Sequence, residues 1–220
     1  MTLRTPLPFP RLVVVHGFGA GPTDHWFPWL AEHAATAVAP ALPSPLVPRA
    51  SAWIPRIVDA IGTLDGGTAV VAHSLGNVAA LGAIRALQQA GDEGALGAFV
   101  AVAPFLRAIP PVGDEALDGF VRSGLPDFTA GLDPVALRPA LGERSVLRSS
   151  MDPLVPAQLS EEFATALDSP VHVIPGAGHF LAGDGFGPLP EVIDALLGAD
   201  RSAGPYSQPT PSPSPSRCSA

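Results

Sequence analysis

Residues 71–76 read Val71-Ala72-His73-Ser74-Leu75-Gly76, and the fold turns on how this stretch is read. Ahead of it lies a short β-branched run, Thr68 to Ala72; behind it, Leu75 to Gln89 has helical period. A serine on a sharp strand-to-helix turn holds its hydroxyl above a sheet, while the helix N-terminus supplies backbone N–H groups and the positive end of a dipole. That geometry presents a nucleophile. The usual spacing is Gly-x-Ser-x-Gly, with small flanking residues because the turn is crowded; here Ala72 stands in place of the first glycine. A serine N-cap on an ordinary helix would leave the same trace, so the wider pattern of the chain matters.

Outward from this turn, β-branched runs alternate with helical stretches. The strand candidates are Arg11 to Val15, Thr36 to Ala39, Thr68 to Ala72, Ala98 to Ala103, Arg144 to Arg148 and Val171 to Ile174. Most are apolar on both faces, as parallel strands covered by helices must be. The helix candidates are Asp24 to His33 with Asp24 as N-cap, Arg49 to Leu64, Leu75 to Gln89, Ala157 to Leu167 and Leu189 to Leu197. Regular alternation predicts an α/β fold with a mostly parallel, doubly wound sheet and flanking helices, whose ligands collect at the carboxyl ends of the strands. Residues 105–142 break the pattern, being rich in Gly and Pro without clean period; they read either as a lid over that edge or as an irregular connection.

A serine hydroxyl is a weak nucleophile unless a base lies within hydrogen-bond reach, itself oriented by a third group. Asp152 follows the fifth strand candidate in Ser149-Ser150-Met151-Asp152-Pro153, and His179 follows the sixth in Pro175-Gly176-Ala177-Gly178-His179-Phe180. The order Ser74, Asp152, His179 is the one this fold uses. Singly, Asp152 reads equally as a turn aspartate before proline and His179 as a loop histidine; jointly, three residue types after three strand signals point to one catalytic set. His179 is then the general base and Asp152 the group that holds its tautomer. Asp184 lies too close behind His179 to come from a separate strand end, and Asp127 lies in the irregular segment.

Acyl transfer also needs donors for the developing oxyanion. The N–H of Leu75 is one candidate. The other is Phe18, in the glycine-rich loop His16-Gly17-Phe18-Gly19-Ala20-Gly21 after the first strand candidate. That loop lacks both the Lys-Ser/Thr ending of a P-loop and the spacing of a dinucleotide turn. Phe18, Trp26 and Phe105 are candidate substrate contacts, although aromatics at the spacing of Trp26, Phe27 and Trp29 also suit core packing. Pocket shape depends on how Phe105, Phe120 and Phe128 fold over the site. His73 reads as a buried, hydrogen-bonded ring. His25 and His33 are too far apart on one helix to share a metal ion.

Composition bounds the rest. The chain has 220 residues, 47% of them hydrophobic and only 15% charged, which is ample material for a core. Its net charge of -8 disfavours a nucleic-acid partner. The sole cysteine, Cys218, excludes a disulfide framework and a cysteine metal cluster, and a reducing, cytoplasmic setting fits. No run approaches the roughly 18 apolar residues of a membrane span, so no membrane association is expected. The expected organisation is one domain over residues 1–200 and a Pro/Ser-rich, disordered tail over residues 201–220, which carries five prolines.

Four blocks carry a family resemblance: His16-Gly17-Phe18-Gly19 with Asp24-His25-Trp26 and Trp29; Val71 to Gly76; Ser150 to Pro156; and Gly178-His179-Phe180. Together they resemble an α/β-hydrolase, and within that fold the small serine hydrolases grouped with the retinoblastoma-binding serine hydrolase and its bacterial relatives. The likeness covers residues 10–198. It implies a compact sheet without a large cap domain, and hydrolysis of small-molecule carboxylic esters with no metal or organic cofactor. The tail beyond Asp200 has no counterpart, and a Leu-x-Cys-x-Glu motif is impossible with the only cysteine two residues from the end. Two other functions are compatible with the same residues: an acyltransferase using the same three groups, and a non-catalytic interaction protein that keeps the fold.

Overall fold

The computed structural model describes residues 7–198. The expected tail over residues 201–220 therefore lies outside the described residues. Six strands form one sheet: β1 (Arg11–Val15), β2 (Thr36–Val38), β3 (Thr68–His73), β4 (Ala98–Val102), β5 (Glu143–Ser149) and β6 (Val171–Ile174). All neighbours pair in parallel, in the order β2-β1-β3-β4-β5-β6. Chain direction across the sheet reverses between β1 and β3, so the loops leaving these two strands diverge to opposite sides and open a crevice at their carboxyl ends.

Alternation along each strand builds two apolar layers. Val13, Val15, Val70, Ala72, Phe99 and Ala101 face one core, where α2 (Ala50–Ile61), α3 (Leu75–Gln89) and α7 (Ala157–Leu167) cover the sheet. Leu12, Val14, Val71, Val100 and Leu147 face the other, covered by α1 (Phe27–Ala31) and α8 (Pro190–Leu196). Every residue of β3 is buried, which explains its unbroken apolar sequence. At roughly 1.5–3 kcal/mol for each large aliphatic side chain removed from water, these two layers are the main driving force for the fold.

Two local expectations change. The helix expected over Asp24 to His33 is only α1, because Pro28 has no N–H and fits in the first turn of a helix but not its interior. Asp24 consequently does not cap α1; its Oδ2 instead accepts from the N–H of Gly21 at 2.7 Å. Residues 105–142 fold as α4 (Glu115–Ser123), α5 (Leu125–Thr129), α6 (Pro134–Leu137) and a 3-10 turn, Arg138–Ala140. Of these, α5 and α6 complete too few turns to display a period, and glycines within and beside α4 mask its own. Asp114 starts α4 by accepting from Leu117 N–H at 2.9 Å. Phe105, Ile109, Phe120 and Val121 from this segment are buried over the carboxyl edge of the sheet, a small cover and not a large cap domain. Among the described residues no helix is long and apolar enough to cross a membrane.

Candidate active site

Ser74 sits between β3 and α3 with φ 54° and ψ -125°, a conformation that costs a non-glycine residue about 1–3 kcal/mol and persists only where its surroundings enforce it. They do so here. The Ser74 N–H donates to the Val102 carbonyl at 2.9 Å. The buried amide of Asn77 donates from Nδ2 to the carbonyls of Ser74 and Val102, at 2.9 and 3.0 Å. Crowding explains the glycines on either side of the turn: a Cβ on Gly76 would stand 2.5 Å from the Val15 carbonyl oxygen, and one on Gly17 would stand 2.9 Å from the Ser74 Cβ. The β1 loop, the turn and the start of α3 are thus pressed together at the crevice.

The loops after β5 and β6 meet beside this turn. His179 Nδ1 and Asp152 Oδ2 are 2.8 Å apart, and both side chains are buried. Asp152 Oδ1 also accepts from the N–H groups of Leu154 and Val155, at 2.8 and 2.9 Å, so the carboxylate is fully engaged as an acceptor. A carboxylate that only accepts puts the imidazole proton on Nδ1 and leaves the lone pair on Nε2. The two loops are tied together by Ser150, whose Oγ accepts from the Gly176 N–H at 2.9 Å. Asp184 Oδ2 accepts from the N–H groups of His179 and Leu181, at 2.8 and 3.0 Å, and so fixes the loop that carries the imidazole.

Ser74, His179 and Leu75 line one cavity of about 100 Å³. Its remaining walls are mainly apolar: Phe18 and Ala20 from the β1 loop, Phe105, Ile109, Phe120 and Val121 from the cover, and Leu154 and Val155 from the β5 loop. Among the described residues Ser74 Oγ makes no hydrogen bond, to His179 or to any other group. Hydroxyl and imidazole share the cavity unlinked.

The serine hydrolase family model matches residues 12–198, which is most of the chain and contains all of these loops. The chain belongs to the serine hydrolase family. Its relatives include YdeN of Bacillus subtilis strain 168, provisionally named a hydrolase, which is 31% identical over 190 residues, covering 84% of this chain and 94% of that protein. The crystal structure of the ydeN gene product superposes with a TM-score of 0.73 at 32% identity, covering 86% of this chain and 97% of the other. A YdeN-like hydrolase from Pectobacterium atrosepticum gives 0.60 at 19% identity, covering 86% and 89%. Naproxen esterase from B. subtilis gives 0.54 at 14% identity, covering 88% and 84%, a likeness of fold. The fold is thus that of the α/β-hydrolases.

Within this serine hydrolase, Phe18 and Phe105 line the cavity as the sequence suggests, but Trp26 does not. Trp26 is fully buried in the second core layer, with its ring 4.7 Å from that of Phe27. The shortening of α1 turns it inward, and its expected substrate contact is corrected to a packing role. His25 lies at the cavity instead. Its Nδ1 accepts from the Ala182 N–H at 3.1 Å, which leaves the proton on Nε2, and burial lowers its pKa despite the nearby Asp24 carboxylate. By sequence alone Asn77 has no role, Asp184 is only a rival acid, and His25 belongs to a family block without a place at the cavity. Asn77 lies three residues after the serine, in the first turn of α3, a spacing that could have marked it. Among the described residues no group of three or more His, Cys, Asp and Glu side chains could hold a metal ion.

Proposed function

We propose that this serine hydrolase cleaves small carboxylic esters through an acyl intermediate on Ser74. The observation that carries the reading is the 2.8 Å contact between His179 Nδ1 and Asp152 Oδ2, made by two buried groups beside the cavity that Ser74 lines. Ser74 Oγ attacks the ester carbonyl carbon while its proton passes to His179 Nε2. The bond from that carbon to the alcohol oxygen then breaks, and the proton moves from Nε2 to the departing oxygen. Water next attacks the acyl carbon and gives a proton to Nε2; the bond to Ser74 Oγ breaks, Oγ recovers the proton, and the carboxylic acid leaves. Asp152 keeps the imidazole in its tautomer and stabilises the cation that forms twice in the cycle.

The N–H groups of Leu75 and Phe18 serve the oxyanion in this scheme, each such donor being worth roughly 3 to 4 kcal/mol. Support comes from position: Leu75 opens α3, where first-turn amides lack intrahelical acceptors, and both residues border the cavity. The open contact between Ser74 and His179 is in keeping with catalytic hydrogen bonds that tighten when substrate seats. Apolar walls favour an uncharged acyl group. A cytoplasmic location belongs to the same reading, since a lone cysteine forms no internal disulfide.

A fluorophosphonate probe tests the proposal. It should label the protein once, and Ser74→Ala should abolish both labelling and turnover of a short-chain p-nitrophenyl ester. Labelling that persists in Ser74→Ala would refute it.

A further inference from the structure

We infer that Phe120 is the partition that limits the length of the acyl chain this site accepts, an inference that rests on the ester-hydrolase reading above. Phe120 is the one residue of α4 and α5 that borders two separate spaces. On one side is the cavity of about 100 Å³ that holds Ser74 and His179. On the other is a groove of about 550 Å³ between α4 and the segment Leu46 to Arg49.

The ring is held in place and not merely adjacent. Its centroid lies 5.5 Å from that of Phe18 and 5.9 Å from that of Phe128. Behind it, a Cβ on Gly124 would stand 2.6 Å from Phe120 Cδ2, so only glycine leaves the ring its seat. Phe120 itself is 8% exposed. Across the groove, whose rim also carries Arg49, Ser51 and Asp127, Leu46 and Val47 leave 59% and 64% of their surface open, an apolar wall that a hydrocarbon chain could cover. Burying such surface favours binding in proportion to the area removed from water. Removing the ring should therefore join cavity to groove and convert a limit on chain length into a gain with chain length.

The substrate class that follows for the natural protein is short-chain acyl esters. The test is the kcat/KM series over p-nitrophenyl acetate, butyrate, octanoate and laurate, with fluorophosphonate labelling of each variant to count competent sites. The natural enzyme should decline beyond butyrate. Phe120→Ala should raise the laurate-to-butyrate ratio by about tenfold or more, the discrimination that a methylene or two commands in an apolar pocket. Phe120→Leu, which keeps most of the buried volume, should give an intermediate ratio and carries the test if the alanine variant does not fold. Phe128→Leu borders neither space but removes one of the rings that seat Phe120, and should move the ratio less than Phe120→Leu does. A flat ratio in labelled Phe120 variants, or an equal shift in Phe128→Leu, overturns the inference. Failure of the natural protein to label on Ser74 instead overturns the ester-hydrolase reading beneath it.

Discussion

The ring of His73 donates from Nε2 to the backbone carbonyl of His179 at 2.9 Å, joining the turn that carries Ser74 to the loop that carries the second imidazole. The two rings lie 4.9 Å apart, and His73 Nδ1 is buried without a partner. Burial, reinforced by the neighbouring His179, holds the pKa of His73 well below 6.5. The unfolded chain then binds a proton that the native one refuses. Stability is complete above the unfolded imidazole value and falls on acidification below it, by at most about 1.4 kcal/mol per pH unit for each such histidine. His16, whose pKa burial also lowers, adds to the same slope. Denaturant unfolding from neutral pH down to about pH 5 should show this loss, and a shallower slope in His73→Gln. Parallel slopes for the two proteins would contradict the assignment.

Two aspartates flank His179 and should differ sharply in effect. Asp152 faces the ring and Asp184 faces the backbone. Asp152→Asn offers the ring an amide that can impose the wrong tautomer, and kcat should fall by roughly three to four orders of magnitude with the fold intact. Asp184→Asn keeps one acceptor oxygen for the loop amides and should lose about tenfold or less in kcat, an effect of less than about 1.4 kcal/mol. Steady-state kinetics on one ester, with near-ultraviolet circular dichroism as a check of folding, separates the two. Equal losses would mean that Asp184 acts on the ring as well.

Asn77→Ala removes both side-chain hydrogen bonds that hold the turn, to the carbonyls of Ser74 and Val102. The expected cost in stability is about 1–3 kcal/mol, read as a lower denaturation midpoint. Because the bonds fix Ser74 and not the substrate, kcat should drop while KM changes little. A variant that loses stability yet keeps full kcat would show that the turn holds itself.

Gly17→Ala places a methyl 2.9 Å from the Ser74 Cβ and 3.0 Å from the His73 carbonyl oxygen. Neither neighbour is the free end of a flexible chain, so the β1 loop must move, at a cost of about 1–3 kcal/mol. Labelling by the fluorophosphonate should slow because the same loop lines the cavity with Phe18. Unchanged labelling kinetics would show that the loop yields without moving the site.

The six strands were legible because most are apolar on both faces and bounded by turn residues, a signal contained in three to seven consecutive positions. Helices α3 and α7 were legible to the residue for a similar reason, being long enough to repeat their period. Ser74, Asp152 and His179 could be named as candidates because each follows a recognisable strand. The cover over the cavity could not, since α5 and α6 are too short to repeat a pattern and Gly113, Gly119 and Gly124 interrupt the reading of α4. Asp24 and Trp26 were misplaced together: one proline decided where α1 begins, and with it which way the aromatic ring points.

Local order along the chain thus sufficed for the parallel α/β architecture and for the three loops in which chemistry could sit, because backbone conformation and strand burial depend on near neighbours. The tertiary structure alone decided the 2.8 Å approach of His179 to Asp152, the placement of His25 at the cavity and the ring of Phe120 between two spaces. Those are distances between side chains far apart in sequence. They are set by how whole layers pack, and no window of consecutive residues contains them.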